Sequence, residues 1–121
     1  MATTHALAGV ALAALVASEQ AGVALPAGFV GGLFPDLDLY VGHRKTLHFP
    51  VYYWPLALAG GVLVAIGTGP ATVGLACFLL AAALHSTMDA FGGGLELRPW
   101  EATSERAVYN HYTGRWHRPR R

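Results

Sequence analysis

The sequence predicts an all-α chain: a small integral membrane bundle of about four apolar helices carrying a polar cytoplasmic loop and tail. Three observations carry that expectation. Of 121 residues, 54% are apolar and 12% are charged, against roughly 25% charged in an ordinary soluble domain. The apolar residues form runs of helical length, separated by short polar or Gly/Pro breaks. The eight Lys and Arg fall in two blocks, Arg44-Lys45 and the stretch from Arg98 onward. A chain of this length makes one domain, with residues from about 95 to 121 as a polar C-terminal tail.

The first run, Met1 to Val16, reads as a short apolar helix with His5 near its start and Thr3 or Thr4 as N-cap. A cleaved signal peptide is the competing reading, but no Lys or Arg precedes the apolar stretch. Ser18-Glu19-Gln20 breaks the pattern. Ala21 to Phe34 is apolar again, with Pro26 near its beginning, where a helix tolerates proline. Gly28 and Gly32 stand in G-x-x-x-G register, which lets helices approach closely in a membrane. As a helix this run is about 21 Å long, short of a hydrocarbon core of about 30 Å. It is expected to be tilted, extended by its flanks or partly re-entrant.

Pro50 and Pro55 bracket Tyr52-Tyr53-Trp54, an aromatic group suited to the headgroup level. A third helix runs from there to about Gly67. Thr68-Gly69-Pro70 is a tight turn. A fourth helix follows to about Phe91, some 33 Å long and so sufficient to span, and Gly92-Gly93-Gly94 ends it. Cys77, alone in the sequence, sits in that apolar run and reads as a small buried hydrophobe. No fixed-period repeat or coiled-coil heptad interrupts this scheme.

Four helices joined in this way put the two breaks, 18–20 and 68–70, on one side. Both termini and the Pro35–His48 loop fall on the other, with every Lys and Arg. The positive-inside rule makes the second side cytoplasmic. The chain is then a multi-pass cell-membrane protein with both termini inside. The basic tail, ending Arg115-Trp116-His117-Arg118-Pro119-Arg120-Arg121, is expected to meet anionic membrane lipids rather than nucleic acid.

That topology gathers the polar residues. His5, the loop residues Asp36, Asp38, His43 and His48, and the helical pair His85 and Asp89 all come to one end of the bundle. His85 and Asp89 are four apart and share a helical face. Asp36 and Asp38 are two apart, so they converge only if Pro35 holds their segment extended or in a turn. Carboxylates and imidazoles are ligands for divalent metals, and ionisable groups at membrane depth are costly unless they serve a function. Each of these histidines taken alone suits a structural role; as a set they suit a metal site.

The pattern Thr4-His5, Pro35-Asp36-Leu37-Asp38, His43-Arg44-x-Thr46-Leu47-His48 and His85-x-x-x-Asp89, followed by a Gly-rich turn and Pro99, resembles the YdjM-type family of membrane-bound metal-dependent hydrolases. The likeness runs from His5 to about Glu101. It implies a small helical membrane protein with His5, Asp36, Asp38, His43, His48, His85 and Asp89 as metal ligands. This chain departs from the family's H-R-G-x-T-H-S, reading HRKTLHF, with Lys45 for Gly, a shifted Thr and Phe49 for Ser, and it is shorter than many members.

Seven N/O ligands exceed the need of one tetrahedral ion and suit a two-metal site, which makes a hydroxide and clamps both oxygens of an in-line displacement. The expected cofactor is one or more divalent ions, zinc first, with manganese or magnesium as alternatives. The expected reaction is hydrolysis of a phosphoester substrate, lipid-derived given the location. Asp36 and Asp38 are placed at the reacting centre and Arg44 on the phosphate. Lys45 shares the alternative role of Arg44, an anchor to anionic headgroups. The other reading is a non-catalytic membrane protein in which a structural metal or polar network pins the helix ends and the basic tail recruits a partner.

Overall fold

The computed structural model describes residues 2–67, 69–96 and 101–120. Four helices account for most of it: α1 (Ala2–Val16), α2 (Ala21–Leu33), α3 (Tyr53–Ala65) and α4 (Pro70–Phe91). Two 3₁₀ helices flank α2, over Ser18–Gln20 and Phe34–Tyr40. The class is therefore mainly α, as the hydropathy pattern predicts. Gly69 precedes α4 in an extended conformation and Pro70 opens its first turn, where a missing N–H costs nothing.

α1 and α2 fold back on each other, and glycine decides how close they come. The Gly9 and Gly28 backbones meet, and Gly32 meets the backbone of His5 and Ala6. A Cβ at any of these three glycines would overlap main-chain atoms. The G-x-x-x-G register thus serves the close approach read from sequence. Gly31 makes the same kind of contact with Phe78 of α4. α4 packs against all three other helices, and its alanines Ala81, Ala82 and Ala83 are buried in the middle. A core of Ala13, Ala24, Val73 and Cys77 closes the far end.

Away from the end that carries His5, His85 and Asp89, the helices are apolar all round. Leu7, Leu15, Phe29, Val30, Leu58, Val62, Ile66 and Leu75 are all exposed, although a helix in a soluble domain keeps one face polar. Among the described residues only α4 is by itself long and apolar enough to cross a membrane. α1 and the segment Ser18–Tyr40 reach that measure together, with a bend of 109° between them.

The C-terminal segment departs from the expected tail. Residues 101–120 fold back over the loop after α2 and form a two-stranded antiparallel ladder, β1 (Tyr109–Asn110) with β2 (Arg115–Trp116). Asn110 builds the turn by accepting from the backbone N–H groups of Tyr112 and Thr113, and Gly114 closes it with a left-handed φ of 65°. The segment has a buried anchor of its own, Ala107 and Val108. The sequence has no long apolar alternation here, so nothing marks a strand in advance. Arg98, Pro99, Trp100 and Arg121, which enter the family pattern or the basic tail, lie outside the described residues.

Candidate metal centre

Pro35 starts the 3₁₀ helix Phe34–Tyr40 directly after α2. With three residues per turn, positions two apart point in different directions, and this separates the two aspartates. Asp36 faces the bundle axis and Asp38 faces the loop that follows. Asp38 is 1% exposed, and the loop is built on it. Its Oδ1 accepts from the Arg44 backbone N–H at 3.1 Å and lies 3.2 Å from His43 Nδ1. Its Oδ2 accepts from the Leu47 N–H and from His48 Nδ1, both at 3.0 Å. Two backbone bonds within the loop and the His48 bond force a tight turn, and Arg44 takes a left-handed φ of 57° inside it. Tyr53 secures the end of this turn, its hydroxyl donating to the Leu47 carbonyl at 2.8 Å.

These contacts aim His48 inward. Its Nδ1 must carry the proton donated to Asp38, so a neutral ring presents an Nε2 lone pair to the bundle. The same logic holds for His85, whose Nδ1 donates to the Gly32 carbonyl at 2.6 Å. The two Nε2 atoms lie 3.2 Å apart. Two facing lone pairs repel, so a proton or a cation must lie between them. Carboxylates complete the group. Asp89 Oδ2 is 3.0 Å from His48 Nε2 and 3.4 Å from His85 Nε2. Asp36 Oδ1 is 3.8 Å from the first and 3.4 Å from the second.

One ligand atom from each of Asp36, His48, His85 and Asp89 lies within 4.8 Å of all the others, and this buried cluster could hold a metal ion. The donor set fits. A regular tetrahedron with N/O ligands at about 2.0–2.1 Å has edges of about 3.3–3.4 Å, and the five separations above scatter around that value. Hydrogen bonding from the rear nitrogen of each histidine is the usual support for a ligating imidazole.

The seven sequence candidates therefore separate into layers. Four converge. His5 stands beside them with its ring centroid 4.0 Å from that of His85. Its Nε2 is 3.5 Å from Asp89 Oδ1 and its Nδ1 is 3.9 Å from Asp36 Oδ2, and that buried Nδ1 makes no hydrogen bond. Asp38 and His43 do not reach the centre: Asp38 orients His48, and His43 bonds to Asp38. The expectation that Pro35 lets both aspartates converge is corrected by the 3₁₀ geometry. Arg44 is also placed differently from expectation. Its guanidinium is buried, with Nη2 3.3 Å from Asp89 Oδ1 and Nη1 donating to the Gly93 and Ala107 carbonyls at 2.7 and 3.4 Å. It holds Asp89 and ties down the C-terminal segment rather than facing an open space. Lys45 reaches the same segment, its ammonium lying over the Tyr109 ring.

Burial alone would lower the pKa of His48, but its hydrogen bonds to Asp38 and Asp89 and their charges outweigh this and raise it above the ordinary imidazole value. The metal-free centre thus holds its proton to higher pH than a free imidazole, and a metal must displace it.

Little in the sequence pattern anticipates the attachment of the C-terminal segment. Tyr109 N–H donates to the Arg44 carbonyl at 2.9 Å, and His111 Nε2 lies 2.6 Å from the Lys45 carbonyl. The signal in the sequence is faint: Asn110 and Gly114 as turn residues, with aromatics on either side. Comparison with protein families, curated proteins and solved structures found no match to this chain.

Proposed function

We propose that this chain is a multi-pass membrane protein with a divalent-metal centre at its cytoplasmic end, and that it hydrolyses a phosphoester there. The observation that carries the reading is the convergence of Asp36, His48, His85 and Asp89 at ligand–ligand distances suited to one ion, with both imidazoles held in the tautomer that offers Nε2. Zinc suits this mixed N/O tetrahedral set best, with manganese or magnesium less suited to four such close donors. The membrane setting is supported by the exposed apolar side chains around every helix and by the placement of Arg44, Lys45 and Arg120 at the end that carries the centre, against Asp89, Tyr109 and Phe91. Kinship with the YdjM-type family belongs to the same proposal and rests on the residues quoted above.

When bound, a divalent ion supplies a water-derived hydroxide near neutral pH and draws charge from a phosphoryl oxygen. The protein's part is to hold that chemistry in place. Asp38 and the Gly32 carbonyl fix the two imidazoles. Arg44 fixes Asp89. Asp36 is the most open of the four ligands, at 16% side-chain exposure against 4% or less for the others, so substrate approaches from its side. His5 borders that side and can donate a hydrogen bond to a bound phosphate.

A structural ion is the second reading, favoured by the burial of three of the four ligands, since closed four-ligand sites are generally structural. Cobalt substitution separates the two. A centre with an exchangeable water changes its visible spectrum when phosphate is added; a closed centre does not. The functional test is hydrolysis of a phosphomonoester, a phosphodiester and a phospholipid by the metal-loaded chain, with Asp36→Ala as control. Activity on one class that Asp36→Ala abolishes supports the proposal. Full metal loading without turnover of any class contradicts it.

A further inference from the structure

The two adjacent glycines of α3 face different surroundings. Gly60 packs on Ala76, but a Cβ on Gly61 would meet nothing within 4 Å. Gly61 instead lines a cavity of about 260 Å³ between the end of α1, α3 and α4. Its walls are small and apolar: Ala57 and Gly61 from α3, with Val73, Ala76, Cys77 and Leu80 from α4. The trough continues downward past Val16 and Ala17 to the polar turn at Ser18–Gln20. Upward it shares Ala57, Gly61 and Leu80 with a second hollow that ends at Trp54. An apolar groove therefore follows α4 through much of the height of the bundle.

Side chains beside the groove point to its occupant. Leu58 and Val62 on α3 line its upper hollow and are exposed, so what reaches this face is the hydrocarbon that meets the apolar belt. Apolar voids stay dry and accept apolar ligands. The groove's position along α4 favours the same occupant. At the upper end, Trp54 Nε1 donates to Thr87 Oγ1 at 2.9 Å, and Thr87 lies between the ligands His85 and Asp89. The neighbouring Tyr53 bonds to Leu47, the residue before His48. A chain lying in the groove thus brings its head to the level of the metal centre.

We infer that the groove holds one acyl chain of a membrane phospholipid, and that the substrate of the centre is a lipid phosphoester rather than a soluble one. The first half of the inference rests on the membrane reading and the second half on the hydrolase reading as well. In the reaction, water adds oxygen to phosphorus, the P–O bond to the alcohol breaks, and the proton of the water passes to the departing alkoxide. No oxidant or reductant is needed.

The test uses the full chain purified in mild detergent. Native mass spectrometry and lipid extraction are expected to find one retained phospholipid per chain. Gly61→Phe fills the groove and should abolish retention while leaving metal content unchanged; the smaller Ala57→Val does so in part and covers the case in which Phe prevents folding. Activity gives a separate readout. Gly61→Phe should raise KM for long-chain phosphatidic acid about tenfold or more and leave 4-nitrophenyl phosphate unaffected. Equal lipid retention in wild type and both variants, no retained lipid in wild type, or a dimer lost in Gly61→Phe overturns the groove assignment. Lipid retained by a chain that hydrolyses neither substrate upholds the groove and overturns the hydrolase reading. Turnover of 4-nitrophenyl phosphate alone upholds hydrolysis and overturns the lipid substrate.

Discussion

The two ends of this bundle are held together by different means. Where α1 begins and α2 and α4 finish, polar groups distant in sequence are joined: His48 with His85, Arg44 with Ala107, His111 with Lys45. At the opposite end the core is Ala13, Ala24, Val73 and Cys77, with an apolar groove beside it. Small apolar side chains can border a void at the cost of a few dispersion contacts. Buried carboxylates and imidazoles have no such tolerance, since each unpaired group carries a large desolvation cost. Precision is therefore concentrated at one end, where a binding centre can use it.

Substitutions of similar size at the two ends should differ sharply. Asp89→Ala removes the counter-charge of Arg44 and the partner of His48. It should abolish metal retention and cost about 3–5 kcal/mol, the usual penalty for breaking a buried ionic group. Val73→Ala at the other end should cost about 1–2 kcal/mol and leave metal content intact. Thermal melts with parallel metal analysis measure both. Equal losses would mean that the polar end has no special status.

A contrast among the glycines comes next in size. Gly28→Val drives a side chain into the Gly9 backbone and should destabilise by about 1–3 kcal/mol. At Gly22 a Cβ would meet nothing within 4 Å, so Gly22→Ala in helix α2 should gain about 0.5–1 kcal/mol. Melting temperatures moving in the same direction would contradict the packing described for α1 and α2.

Arg44→Ala should release the C-terminal segment, because it removes the bonds to Gly93 and Ala107. The expected result is faster proteolysis between α4 and β1 and, in the metal-loaded protein where the ion still neutralises Asp89, a loss of about 1–2 kcal/mol. Arg44→Gly should recover part of that loss by relieving the left-handed φ of 57°. If the two variants melt alike, the backbone conformation at this position carries no strain.

The smallest effect is in pH. The raised pKa of His48 gives the metal-free protein stability that is fully present below the unfolded value of about 6.5 and is lost as pH rises through the folded value. Metal affinity changes in the opposite sense, because the ligand must give up its proton. The gap between melting temperatures with and without zinc should therefore widen as pH rises from 6 through about 8. A gap independent of pH would remove His48 from the ligand set.

The helices were legible in the sequence because their signals are local. The breaks at Ser18–Gln20 and Gly69-Pro70, the register of Gly28 and Gly32, and the i, i+4 spacing of His85 and Asp89 each need only a few neighbouring residues. What stayed hidden depends on contacts made after folding. The sequence does not tell that Phe34–Tyr40 winds as a 3₁₀ helix, so it cannot separate the role of Asp36 from that of Asp38. Nor does a short polar stretch reveal that Tyr109 and His111 dock on the carbonyls of Arg44 and Lys45. For the same reason Arg44 reads as a substrate-holding cation, when its partners are Asp89 and two main-chain oxygens.

The central claim is that Asp36, His48, His85 and Asp89 jointly hold a divalent ion. Elemental analysis with X-ray absorption on the full chain, purified without chelators, tests it most directly. The account predicts a bound ion surrounded by nitrogen and oxygen at about 2.0–2.1 Å with no sulfur ligand, lost in His85→Ala. A wild-type chain that purifies without metal, and whose melting is unmoved by zinc, manganese or magnesium, would contradict it and leave the cluster as a hydrogen-bonded polar network.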